Sequence, residues 1–113
     1  MISAILTDFM VFPSISLKPK TPIVGQKQAI VCTATVLSTA EQSAVFTWGT
    51  PDGVDINDKR VTILPTTVRG SNHTSVLQFK YLMESDVGTY KCDIISNNST
   101  TSVFGELQDL YSK

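Results

Sequence analysis

Apolar and polar residues alternate with period two along most of this chain, and no stretch keeps the helical spacing of three to four residues over a useful length. In 30–36 the even positions are Ile30, Cys32, Ala34 and Val36, so one face of a strand carries Cys32 inward. Phe46 and Trp48 repeat that logic, with Val45 and Thr47 directed outward. Residues 60–65 are β-branched and apolar and end at Pro65; Leu77 and Phe79 alternate again; Tyr90, Cys92 and Ile94 share one face of 88–95. The pattern predicts strands at 29–36, 44–49, 60–65, 75–80, 88–95 and 101–108, with a further short strand near 54–56. Ahead of them, 14–17 and 22–24 read as one edge strand interrupted by Pro19 and Pro22, where proline is tolerated and discourages aggregation. Short strands with turn signals between them predict an all-β, two-sheet antiparallel sandwich.

Size and charge narrow this further. A chain of 113 residues buries one core, so a single domain is expected, with 1–13 as an N-terminal extension or the start of the first strand and 14–110 as the domain proper. Nine basic and ten acidic side chains are nearly balanced, which gives no basic patch for nucleic acid. No apolar run reaches the roughly 20 residues of a membrane helix, so no direct membrane contact is expected within this segment. The apolar start, 1–12, lacks a basic leading region and contains Asp8, which makes it a poor secretory signal; any leader and anchor are expected outside this segment.

Catalytic and metal chemistry find little support. The only histidine, His73, falls in a predicted surface loop, and Ser71, Ser75 and Asp86 form no ordered relay around it, so no catalytic residues and no cofactor are assigned. The acidic run 52–58 does not fit the alternate-position register of a calcium loop and reads as a solvated connection. Two cysteines and one histidine supply no metal-ligand set.

One constellation stands out: Cys32, Trp48 and Cys92 in that order, the last closing the run Asp86-Val87-Gly88-Thr89-Tyr90-Lys91-Cys92. It resembles the D-x-G-x-Y-x-C pattern of the immunoglobulin superfamily, and the likeness extends back through Leu77, Phe79 and Leu82 to cover nearly the whole chain. The resemblance implies a Greek-key sandwich between the variable and intermediate sets. It implies a Cys32–Cys92 disulfide between the sheets, with Trp48 against it and Tyr90 bonding back to the backbone as a tyrosine corner. Leu77 and Phe79 would fill the core. Asp86 would pair with Arg60 at the start of the fourth strand. Closing so long a loop would stabilise the fold by about 4 kcal/mol on the chain-entropy account, in an oxidising compartment. Phe104-Gly105 invites comparison with the F-G-x-G of antigen-receptor joining segments, but Glu106-Leu107 follows and the second glycine is missing, against an immune variable domain.

Sequons at Asn72, Asn97 and Asn98 agree with an extracellular chain. In such a sandwich they would fall in the loops gathered at one tip, and glycans there would direct a protein partner to a sheet face instead. The candidate face is the outward side of the strands holding Val45, Thr47, Lys91, Asp93 and Ile95. By family resemblance, the expected function is an extracellular recognition or adhesion module of a cell-surface receptor, as in adhesion molecules and receptor tyrosine kinase ectodomains. Its partner would be a protein, a second copy included. The alternatives are a spacer domain of an intracellular muscle-type protein with reduced cysteines, or an immune-type variable domain.

Overall fold

The computed structural model describes residues 9–38, 44–96 and 98–111. Among the described residues eight strands follow one another: β1 (Phe9–Lys18), β2 (Gln28–Ser38), β3 (Val45–Gly49), β4 (Val61–Ile63), β5 (Thr67–Arg69), β6 (Asn72–Phe79), β7 (Gly88–Ser96) and β8 (Ser99–Leu107). A short 3-10 turn, Glu84–Asp86, precedes β7. They form a five-stranded sheet in the order β1-β2-β6-β4, with β5 also on β6, and a three-stranded sheet in the order β3-β7-β8. Every ladder is antiparallel.

The period-two pattern decides which residues meet in the middle. Ile30, Cys32, Ala34 and Val36 of β2, Leu77 and Phe79 of β6, and Tyr90, Cys92 and Ile94 of β7 are buried, with Trp48, Val61, Leu82 and Leu107 completing the core. The rings of Phe79 and Tyr90 meet edge to face at 6.0 Å, the arrangement that aromatic quadrupoles favour.

Four local features differ from the sequence reading. First, β1 runs from Phe9 to Lys18, longer than the edge-strand piece expected at 14–17, and Pro13 sits inside it. A proline is compatible with that position because β1 is an edge strand. The strand ends at Lys18, and 22–24 does not continue it: Ile23 and Val24 make only isolated parallel bridges, to Tyr111 and Leu82. Second, no strand forms near 54–56. The Asp55 carboxylate accepts the Asn57 N–H at 2.8 Å and that of Asp58 accepts the Arg60 N–H at 2.9 Å, so side chains hold these turns in place of a ladder.

Third, the strand expected at 60–65 is shorter, β4 over Val61–Ile63, and a further strand not expected there, β5, follows Pro65, which has no N–H to give a ladder. Fourth, β6 starts at Asn72, because Gly70, at φ 60°, reverses the chain within two residues so that Arg69 pairs with Asn72. His73 therefore lies inside a strand and is buried, contrary to its placement in a surface loop. Asn72 is a strand residue for the same reason.

Candidate functional site

The centre of the sandwich is held covalently. Cys32 and Cys92 form a disulfide with Cα atoms 6.5 Å apart, joining the middle strands of the two sheets. Trp48 pairs with Cys92 in register and is buried. Its indole Nε1 donates to Ser75 Oγ, 2.9 Å away across the core. Ser75 is opposite Cys32 on β6, so a serine supplies the acceptor that a buried indole N–H requires. No local motif signals this pairing, since the partner comes from a strand far along the chain.

The end of the sandwich around Asp86 is closed by a polar cluster. Arg60 Nη1 and Nη2 donate to the two carboxylate oxygens of Asp86 at 3.0 and 3.1 Å. Nη1 also reaches the Tyr81 carbonyl at 2.9 Å, and the guanidinium stacks 5.3 Å from the centre of the Tyr81 ring. The Asp86 carboxylate takes the Met83 N–H as well, at 2.7 Å, while the Tyr90 hydroxyl donates to the Asp86 carbonyl at 2.6 Å. Hydrogen bonding to Asp86 raises the Arg60 pKa further above its ordinary value, and burial pushes that of Tyr90 up. Gly88 follows at φ 145°, where an added Cβ would run into the ring of Pro51. This cluster binds strand to turn around the buried Arg60–Asp86 pair.

The outward side of β3, β7 and β8 is a different surface. Val45 and Ile95 face each other across the β3–β7 ladder and are 58% and 39% exposed. One rung along, Thr47 lies beside Asp93, and Asp93 beside Ser102. The Ser102 hydroxyl donates to the Asp93 carboxylate at 2.5 Å, and Lys91 Nζ lies 3.5 Å from that carboxylate. On the next rung Lys91 is opposite Phe104, whose ring is 59% exposed. Val45, Thr47, Lys91, Asp93 and Ile95 are thus brought together on one face, and Phe104 joins them. Its place was readable: counting back by twos from buried Leu107 puts Gly105 and Val103 inward and Phe104 outward. Gly105 also matters here, because a side chain there would press on Ile15 of β1 at 3.1 Å.

Asn72 and Asn98 lie toward the end opposite the Arg60 cluster. Asn98, at φ 62°, is exposed in the turn that pairs Ser96 with Ser99. That turn is tighter than the loop expected over 96–100. Asn97 lies outside the described residues. Asn72 is exposed, but on the outward face of the five-stranded sheet.

No family model and no curated protein matches the chain. Among solved structures it is similar to the fourth constant immunoglobulin domain of nurse shark IgNAR, with 17% identity over 90% of this chain and 96% of that one and a TM-score of 0.47. The strand arrangement is the one that defines the fold: four strand positions, β1-β2-β6-β4, stacked on three, β3-β7-β8, with the β2–β7 disulfide, Trp48 on the third strand and the Tyr90 corner between them. The chain is an immunoglobulin-like β-sandwich domain.

Proposed function

We propose that this domain is an extracellular recognition or adhesion module of a cell-surface receptor, of the kind found in adhesion molecules and receptor tyrosine kinase ectodomains. It binds a protein partner without covalent chemistry, through the outward face of β3, β7 and β8. The observation that carries this reading is the grouping on that face of exposed Val45, Ile95 and Phe104 around the Lys91–Asp93–Ser102 ladder. Apolar side chains flanking a few fixed polar groups make a surface that a protein can cover without leaving a charge unpaired. The disulfide and the exposed sequon residues Asn72 and Asn98 support an oxidising, extracellular setting.

Sedimentation velocity tests the face, beginning with self-association because a second copy is the partner always at hand. Val45→Arg with Ile95→Arg is expected to weaken association by roughly tenfold or more while the melting temperature stays close to that of the parent. If the parent self-associates and the double variant behaves identically, this face is not the contact. Titration of thiols on native protein tests the setting. None is expected to react; two reactive thiols would turn the reading to an intracellular spacer domain. The variable-domain alternative loses support from the segment between β3 and β4, which forms turns and not an additional ribbon of strands.

A further inference from the structure

Three strands of the five-stranded sheet present an arrangement that the loops-at-the-tip picture does not contain. Phe12 of β1 is opposite Thr35 of β2, and Thr35 is opposite Asn72 of β6. All three are on the outward face. Alternation fixes this, since Ala34 and His73, their neighbours, are buried. Phe12 is 48% exposed, and so is Met10 beside it on the same strand, while Leu37, directly across from Met10, is 45% exposed. These apolar side chains form one patch that no part of the described chain covers.

At the other end of that rung the Thr35 hydroxyl donates to Asn72 Oδ1 at 2.8 Å. The bond holds the amide by its oxygen and leaves Nδ2 for modification. Asn72-His73-Thr74 is a sequon. Two strand spacings separate Asn72 from Phe12, about 10 Å, which is within reach of the first two sugars of an N-linked glycan.

We infer that Asn72 carries an N-linked glycan whose inner N-acetylglucosamine residues lie across the five-stranded sheet and cover Phe12, Met10 and Leu37. The inference rests on the extracellular reading above and adds where the glycan goes. In the attachment step Asn72 Nδ2 forms a bond to the anomeric carbon of the first sugar, supplied by a lipid-linked diphosphate oligosaccharide. The bond from that carbon to phosphate oxygen breaks, the lipid diphosphate leaves, and Nδ2 gives up one proton. Oδ1 is untouched, so its bond from Thr35 survives. The C–H face of a pyranose then packs on the Phe12 ring, and its acetamide and hydroxyl groups turn to water. An exposed aromatic patch next to an edge strand is a self-pairing hazard, and a covalently tethered sugar removes it. The consequence for recognition is directional: the β1-β2-β6 face is screened and the β3-β7-β8 face is left open.

The experiment uses the whole chain secreted from eukaryotic cells, with glycans trimmed to their inner N-acetylglucosamines. Mass spectrometry is expected to find Asn72 occupied, and NMR to find nuclear Overhauser contacts between sugar ring protons and the Phe12 ring. Thr74→Ala, which removes the sequon without altering Asn72, is expected to raise binding of a hydrophobic dye several-fold. Adding Phe12→Ser to that variant is expected to cancel most of the rise. A glycan on Asn72 without contacts to Phe12, or dye binding unchanged in Thr74→Ala, overturns the inference. So does a bare Asn72, and the same sample then separates the causes: no reactive thiols leave the extracellular reading standing, whereas two overturn both.

Discussion

At one end of the sandwich Tyr81, Met83 and Tyr90 exchange hydrogen bonds with an Arg60–Asp86 pair that is almost sealed from water, Arg60 being 8% and Asp86 1% exposed. At the other end Val68, Asn72 and Asn98 are exposed, and the chain reverses through Gly70 and Asn98 at positive φ. Both ends must bring strands of different sheets or hairpins to a stop. The closed end does so with side chains, the tip with backbone geometry. The difference teaches where sensitivity to substitution lies: a buried polar cluster is strongly stabilising only while it is complete, whereas a solvated turn loses little when one residue changes.

Breaking the cluster therefore gives the largest effect. Asp86→Ala leaves the buried guanidinium with only the partly exposed carboxylate of Asp58, 3.4 Å from Nε, and strips the Met83 N–H of its acceptor. The expected loss is about 3–5 kcal/mol, read from urea unfolding followed by tryptophan fluorescence. A loss under about 1 kcal/mol would place this cluster on the same footing as the tip.

Tyr90→Phe sharpens the comparison with a smaller and more specific change. It removes one buried hydrogen bond, to the Asp86 carbonyl, and is expected to cost about 1–2 kcal/mol at neutral pH. Burial raises the pKa of this phenol above its ordinary 10.0. A group with a raised folded-state pKa contributes stability that is fully present below the unfolded value and is lost as pH climbs through the folded one. Above pH 10 the unfolded chain releases the proton that the folded chain retains. Stability should then fall with pH by up to about 1.4 kcal/mol per unit for this one proton. In Tyr90→Phe that component of the slope should disappear, as measured by urea midpoints between neutral pH and pH 11. An unchanged slope would mean that the hydroxyl ionises as freely in the fold as outside it.

The same contrast explains what could be read from the sequence. The closed end was legible because its members are tied to a local motif: Asp86, Gly88, Tyr90 and Cys92 lie within one short run, and Arg60 opens the strand that must end beside it. Inward residues such as Leu77, Phe79 and Ile94 followed from alternation. What escaped depended on pairing between distant strands or on turn geometry. Ser75 meets Trp48 only because β6 packs opposite β3. β5 exists because Gly70 turns the chain tightly enough to pair Arg69 with Asn72, and the polar stretch around it looked like one long loop. That turn puts Asn72 on a sheet face and His73 in the interior, not in a loop at the tip. The outward face of β3 and β7 is legible by parity, and the same parity places Phe104 beside it, although Phe104-Gly105 also resembles part of a joining segment.

The tip should show the smallest effect and thereby sets the lower end of the scale. Asn98 holds φ 62° in a turn that pairs Ser96 with Ser99, a conformation that asparagine tolerates better than other residues with a Cβ. Glycine relieves that strain in the folded chain but loosens the unfolded one, and the two terms oppose each other. Asn98→Gly is therefore expected to change stability by less than about 0.5 kcal/mol in either direction, and Asn98→Ala to cost about 1 kcal/mol, because alanine bears the steric penalty without the local hydrogen bonding of an amide. Both are measured in protein from a bacterial host, so that loss of the sequon does not enter. If Asn98→Ala destabilises as much as Asp86→Ala, the turn geometry is as demanding as the buried cluster, and the division between a side-chain end and a backbone end fails.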